Sequence, residues 1–161
     1  MADFSARVWD YSELRSELEK GLPSQIVTDD PAEIRRAVRA LAKRIRVARA
    51  GAKQGDMFKP TISVEFRKAL ILEMDTNTRA AIMDDNPGEF SNKINGTYPE
   101  EKPLSTVPPN ILAVLPRLPD DIQYRSLGRH LIFLDTRASV ILDRIPFAIQ
   151  SPDCVELDCH R

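Results

Sequence analysis

Seven of the twelve prolines in this chain fall between Pro87 and Pro119. Proline has no backbone N–H to donate and holds φ at about −65°, so neither a long helix nor an interior strand can run through that stretch. The chain is thereby divided. Longer regular elements must be built before Asn86 and after Pro119, and the two parts joined by a segment made mostly of turns and extended backbone. Asn86-Pro87-Gly88 opens the segment and Asn95-Gly96 adds a second turn signal. A connection this long is either draped over a core or functional. Leu104, Val107 and Leu118 predict that it is pinned down, and Pro108 to Leu115 predict a short helix ended by Pro116.

Before the division the pattern is helical. Residues 10–20 predict a short helix capped by Asp10 or Ser12, with Leu14 and Leu18 on one face and Gly21-Leu22-Pro23 as its stop. A stronger start follows at Thr28-Asp29-Asp30-Pro31-Ala32-Glu33. Asp30 is placed to cap, Pro31 takes the first helical position, and Glu33 can reach back as in a capping box. The helix predicted over 31–53 has an apolar stripe of Ile34, Val38, Leu41, Ile45 and Ala48, opposed by Arg35, Arg36, Arg39, Lys43, Arg46 and Lys53. A third helix is expected from Thr61 to about Met74, with Ile62, Phe66, Ala69 and Leu70 inward. Ile71 and Leu72 extend its apolar surface, which predicts a helix central to the core. Asp75 to Thr78 is capping sequence, and a further short helix is expected over 78–85.

After the division the pattern changes to strands. Gln123–Leu127, His130–Asp135 and Val140–Ile145 are separated by turns at Gly128-Arg129 and Thr136–Ser139, which predicts an antiparallel meander. Leu131 to Leu134 and Val140 to Leu142 are apolar on both faces. The sheet should therefore be covered by helices on one side and by the proline-rich segment on the other. The fold class is α+β, with N-terminal helices packed on a small C-terminal antiparallel β-meander. The expected organisation is one domain over 1–150, comprising a helical part 10–86, a connection 87–122 and a meander 123–149, followed by a flexible tail 151–161.

A chain of 161 residues is long enough to bury roughly two thirds of its unfolded surface. Its formal net charge is −1, so no global field draws it to nucleic acid or an anionic membrane. No apolar run approaches the roughly 18 residues of a membrane span. The opening residues lack a basic start followed by an apolar stretch, so an exported protein would need a signal upstream of Met1. Cys154, Cys159 and His160 lie together in the tail. Zinc sites take four ligands and no second Cys or His pair is present to complete one, so a frayed tail with a small-loop disulfide is the reading taken.

The pattern Pro108-Pro-x-Ile-Leu-x-x-Leu-Pro-x-Leu-Pro119, Tyr124-Arg-x-x-Gly128-Arg-x-Leu-Ile-x-Leu-Asp135 and Ile141-x-Asp143-x-Ile145 resembles the end of a group of small exported bacterial proteins. The strand pair is also similar to the C-terminal hairpin of periplasmic proteins related to the nickel/cobalt-homeostasis family. The likeness covers about forty residues, at mainly structural positions. It implies a periplasmic or secreted location. In the metal-linked family metal binding goes with histidine-rich sequence, whereas this chain has only His130 and His160. No metal or other cofactor is therefore carried over.

Two sets of residues are candidates for function. Arg35, Arg39, Lys43 and Arg46 form the basic face of helix 31–53, at the one-turn spacing that phosphate contacts use. Aromatics for base stacking are not interleaved with them, and helix charge runs are usually solvated faces. The second set surrounds the meander: Arg125, Arg129, His130, Asp135, Arg137, Asp143 and Arg144. His130 and Asp135 lie five residues apart in one strand, which points them to opposite faces. An Asp135 turn cap over Thr136 to Ala138 and an Asp143–Arg125 cross-strand pair are the structural alternatives to catalysis.

The acidic pairs Asp29/Asp30, Asp84/Asp85, Glu100/Glu101 and Asp120/Asp121 adjoin turn residues and read as caps. Gly-rich phosphate loops, Gly-x-Ser-x-Gly elbows and His-Glu-x-x-His patterns are missing from the sequence. The expectation is a non-enzymatic envelope module that binds protein or another envelope component, with Arg125, Arg129 and His130 as binding residues. The alternative is a cytoplasmic module using the basic helix against nucleic acid or an acidic protein.

Overall fold

In a computed structural model the described residues, 2–23 and 28–149, form an α+β fold. Helices α1 (Ala2–Glu19), α2 (Pro31–Ala48), α3 (Pro60–Glu73), α4 (Thr76–Asp84) and α5 (Pro109–Val114) precede strands β1 (Ile122–Leu127), β2 (His130–Asp135) and β3 (Val140–Ile145). The strands pair antiparallel in the order β1-β2-β3. The expectations for the tail beyond Gln150, including Cys154 and Cys159, fall outside the described residues.

Local chemistry explains the helix boundaries, and it moves several of those expected. α1 begins at Ala2, not near Asp10, because Phe4, Val8, Tyr11 and Arg15 form its buried stripe at steps of four, three and four. Leu14 points outward. The stripe is hard to read because its last member is an arginine. At α2, Asp30 Oδ1 accepts from the Ala32 N–H at 2.8 Å as expected, but Glu33 does not close the box directly. Thr28 Oγ1 intervenes, donating to Glu33 at 2.7 Å and accepting from the Asp30 N–H at 3.2 Å. α2 stops at Ala48, short of residue 53, as Arg49 leaves helical geometry. Ala48 is exposed, and the buried line is Ala37, Leu41, Ala42 and Ile45. Asp75 Oδ1 accepts from the Thr78 N–H at 2.7 Å, which starts α4 at Thr76.

The expectation of a central α3 is overturned. Ile62, Phe66 and Leu70 are buried, but Leu72 is 84 % exposed and Ile71 49 % exposed. The helix lies on the sheet and shows its other side to solvent, since the layer contains one face of helices only.

Both faces of the meander are covered. Toward the helices, Tyr124, Leu131, Phe133, Val140, Leu142 and Ile145 join Phe4, Val8, Leu41, Ile45, Phe58 and Phe66 in the main core. Phe4 belongs to its aromatic cluster. Its ring centroid is 5.4 Å from Phe58, 5.2 Å from Phe66 and 5.8 Å from Phe133. On the opposite face Leu127, Ile132, Leu134 and Ile141 pack with Phe90 and Tyr98 of the proline-rich segment. That segment also sends Val107, Ile111 and Leu115 into the main core.

A bulge in β3 fixes what lies between sheet and helices. Phe133 pairs with Asp143 and Leu134 with Ile141, so Leu142 is an extra residue. The shift turns Asp143 to the helix side. Its Oδ2 there accepts from the backbone N–H groups of Met57 and Phe58, both at 2.8 Å. Its Oδ1 accepts from Gly55 at 3.0 Å and from Arg144 at 2.7 Å. Asp143 has no solvent exposure. The expected Asp143–Arg125 pair does not form, because β2 separates the two strands.

Replacing Asp143 by Ala orphans these buried donors, and hydrogen bonds to charged groups contribute about 1.5–3 kcal/mol each without adding simply. Asp143→Ala is expected to lower unfolding free energy by about 3 kcal/mol or more in urea denaturation. A loss within about 0.5 kcal/mol, the range of ordinary surface changes, would refute this account of the loop.

Candidate functional site

The charged residues of the meander divide by whether the fold consumes them. Asp135 is fully buried. Its Oδ2 accepts from Tyr11 Oη at 2.6 Å and its Oδ1 from the Ala138 N–H at 2.9 Å. Arg15 Nε stands 3.7 Å from Asp135, and Arg15 Nη1 donates to Asp121 at 2.8 Å. The Arg49 guanidinium lies 5.4 Å from the centre of the Tyr11 ring. Burial pushes the Asp135 carboxyl above the ordinary aspartate value, against the pull of the Tyr11 hydrogen bond and Arg15. Burial likewise drives the Tyr11 phenol far upward. This network ties α1 to the sheet and is closed to solvent at Asp135.

Arg125 is consumed as well. Its Nη1 donates to the Ser105 carbonyl at 2.6 Å and its Nη2 to Gln123 Oε1. It clamps the proline-rich segment to β1, away from His130. The sequence placed it with Arg129 and His130, and the structure does not bring it to them.

Arg129 and His130 do come together, around a residue the sequence reading passed over. After β3 the chain turns at Pro146-Phe147, and Phe147 takes φ of +50°. Asn95 and Ser139 are the other non-glycine residues at positive φ among those described. Small polar residues tolerate that region; a bulky aromatic there is a genuine outlier, costing on the order of 1–3 kcal/mol. The turn is held from three directions. His130 Nδ1 accepts from the Phe147 N–H at 3.2 Å, with the two rings 5.1 Å apart. Arg67 Nη1, from α3, donates to the carbonyls of Pro146 at 2.5 Å and Phe147 at 3.2 Å. The Arg129 guanidinium lies over the Phe147 ring at 5.4 Å. Phe147, thus held, is 57 % exposed.

The β1–β2 turn that carries Arg129 and His130 is itself fixed. Asn86 reaches across to Gly128, donating to its carbonyl at 2.8 Å and accepting from its N–H at 2.8 Å. Gly128 has φ of +55°, and a Cβ there would lie 2.7 Å from Glu89 Cγ. Around His130 stand Glu89, Arg129 and Arg144, the last tied to Gln54 at 2.9 Å and to Asn92. Burial first, then Arg144, lowers the imidazole pKa from its ordinary value of 6.5, with Glu89 opposing. The only cue in the sequence to Phe147 was a large apolar residue directly after the strand-ending Pro146. Arg67 carried none.

The basic face of α2 is reduced but present. Arg46 is drawn to Thr97, and its carbonyl accepts from Asn95 Nδ2 at 3.1 Å. Arg35, Arg39 and Lys43 are exposed and make no ion pair or hydrogen bond among the described residues. No group of three or more His, Cys, Asp or Glu able to hold a metal occurs among the described residues, and no described helix is long and apolar enough to cross a membrane.

If the contacts around Phe147 hold a strained backbone, relieving the strain should not harm the fold. Phe147→Asn, which tolerates positive φ, is expected to leave the melting temperature unchanged or raised. A drop of several degrees, which for a chain this size corresponds to about 1–2 kcal/mol, would mean that the ring is a packing residue. Comparison with protein-family models, curated proteins and solved structures gives no match for this chain, and the geometry of its own residues carries the functional argument.

Proposed function

We propose that the protein is a non-catalytic binding module of the bacterial cell envelope, exported to the periplasm or beyond. It grips a partner protein through the surface centred on Phe147. The observation that carries this reading is an exposed phenylalanine kept in left-handed backbone by Arg67 and His130, with Arg129 across its ring. Buried aromatics and arginines dominate the energy of protein interfaces, and a pre-set loop gives up less conformational entropy on binding. Arg67, Arg129 and Arg144 outnumber Glu89 here, so a partner segment carrying carboxylates fits best. Export rests on the likeness of the stretches Pro108–Pro119, Tyr124–Asp135 and Ile141–Ile145 to small exported bacterial proteins. Asp135, Asp143 and Arg125 are engaged in holding the fold, which favours binding over catalysis.

The test is a photo-crosslinking phenylalanine analogue at position 147 in cells expressing the native gene, followed by fractionation. One discrete adduct in the periplasmic fraction is expected, with none when the analogue replaces exposed Leu72. Equal adducts at the two positions would remove the assigned surface, and an unprocessed cytoplasmic protein would remove the envelope.

A second reading has its own observation: Arg35, Arg39 and Lys43 lie at one-turn spacing on α2 without partners among the described residues. A cytoplasmic module would use them against nucleic acid or an acidic protein. That reading requires binding to a single-stranded oligonucleotide or polyglutamate that weakens as salt rises. It further requires that the triple change to Gln abolish binding. Arg46 is left out of the set because Thr97 holds it. Binding indifferent to the triple change ends this alternative.

A further inference from the structure

We propose that His130 is a proton-operated latch on the Phe147 turn, holding the ring in its presented position when neutral and releasing it when protonated. The inference rests on the reading of Phe147 as the contact residue and adds how that contact is regulated. Its basis is the direction of one hydrogen bond. Phe147 donates its N–H and His130 Nδ1 accepts, at 3.2 Å. A neutral imidazole offers one acceptor nitrogen, and this contact requires it to be Nδ1, with the proton on Nε2. An imidazolium has no acceptor. On protonation Nδ1 acquires a hydrogen aimed at another N–H, so the attraction becomes a clash of two donors.

Phe147 is the residue least able to do without that bond, since its φ of +50° is sustained only by what surrounds it. Once His130 lets go, Arg67 still holds the Pro146 and Phe147 carbonyls, the first of them in the peptide that carries the Phe147 N–H, but that N–H has no other acceptor among the described residues. The left-handed φ then rests on Arg67 without the His130 acceptor, and a return to negative φ swings the ring away from Arg129.

The neighbouring charges set where the latch operates. Arg129 from the turn and Arg144 from β3 oppose a third positive charge on the imidazole, while Glu89 from the proline-rich segment favours it. Arg67 adds a cation on the α3 side, bound to the same turn. Partial burial first, then Arg144 and Arg129 against the opposing Glu89, holds the pKa below 6.5. For a histidine whose folded pKa is depressed, the neutral form is the one the fold prefers. The contribution is intact above the unfolded value and is lost as pH falls from 6.5 through the folded pKa. The site is therefore closed to its partner in mildly acidic surroundings and open at neutral pH.

The experiment follows the Phe147 amide and the His130 ring by NMR through a pH titration of the intact chain, in a His160→Gln background that leaves one histidine. The two signals are expected to move together with one midpoint below 6.5. In His130→Gln, whose side-chain carbonyl remains an acceptor at every pH, the Phe147 step should vanish. A Phe147 amide that stays flat through the His130 transition overturns the latch, as does a step that persists in His130→Gln. Crosslinking from position 147, repeated on both sides of the midpoint, separates the latch from the binding reading. A several-fold loss of adduct in acid supports both. Equal yields overturn the latch and keep the binding surface. Coupled titration with no adduct at any pH keeps the latch and removes the surface.

Discussion

The carboxylate of Asp143 is the point on which this fold turns. An ionisable group with no solvent exposure is costly unless its lone pairs are occupied, and here backbone N–H groups of Gly55, Met57, Phe58 and Arg144 occupy them. The consequences run in order along the chain. The bulge at Leu142 turns Asp143 inward, Asp143 gathers the loop before α3, and the gathered loop delivers Phe58 against Phe4, Phe66 and Phe133. Two residues later Pro60 starts α3. α3 in turn places Arg67 on the carbonyls of Pro146 and Phe147. β3 is thus held twice by consecutive parts of one segment, once at its bulge and once just beyond its end.

The Tyr11, Arg15, Asp121 and Asp135 network works differently. A buried ion pair often adds little net stability over an apolar substitute, because desolvation offsets the attraction. What it adds is position. Phe4 and Val8 could slide along an apolar surface at modest cost, whereas Tyr11 on Asp135 and Arg15 on Asp121 satisfy their partners in one register of α1 only. The hydrophobic stripe supplies the attraction of α1 for the sheet, and the polar network sets where it sits.

That division explains what could be read in the sequence. The α+β class, the division by prolines and the three strands follow from periodicity and punctuation, which are local. Gly128-Arg129 reads correctly as a turn for the same reason. Reading failed where a polar residue did long-range work. Arg15 completes the inner face of α1, and its polarity conceals a helix that begins at Ala2. Ile71 and Leu72 look like core residues because composition does not say that the helical layer covers α3 on one side only. Of the candidate binding residues, Arg129 and His130 meet at one surface, while Arg125 is spent on Ser105. No spacing rule links Arg67 to Phe147, eighty residues apart.

The three non-glycine residues at positive φ among those described differ in what their conformation does for the fold. Asn95 occupies such a conformation with its N–H on the Ile141 carbonyl and its side chain on the carbonyls of Arg46 and Arg49, tying α2 to the edge of β3. Ser139 sits in the β2–β3 turn, its carbonyl accepting from Tyr98. Both are small and polar, and both connect elements of the core. Phe147 is neither. The residue is exposed, so burial returns only part of the backbone cost, and a glycine or asparagine would make the same turn more cheaply. Arg67 from α3 and the adjacent Arg129 and His130 from the other side nevertheless converge to keep it there. Of these contacts, the one that protonation of an imidazole would withdraw is the bond to His130 Nδ1, because an imidazolium has no acceptor nitrogen.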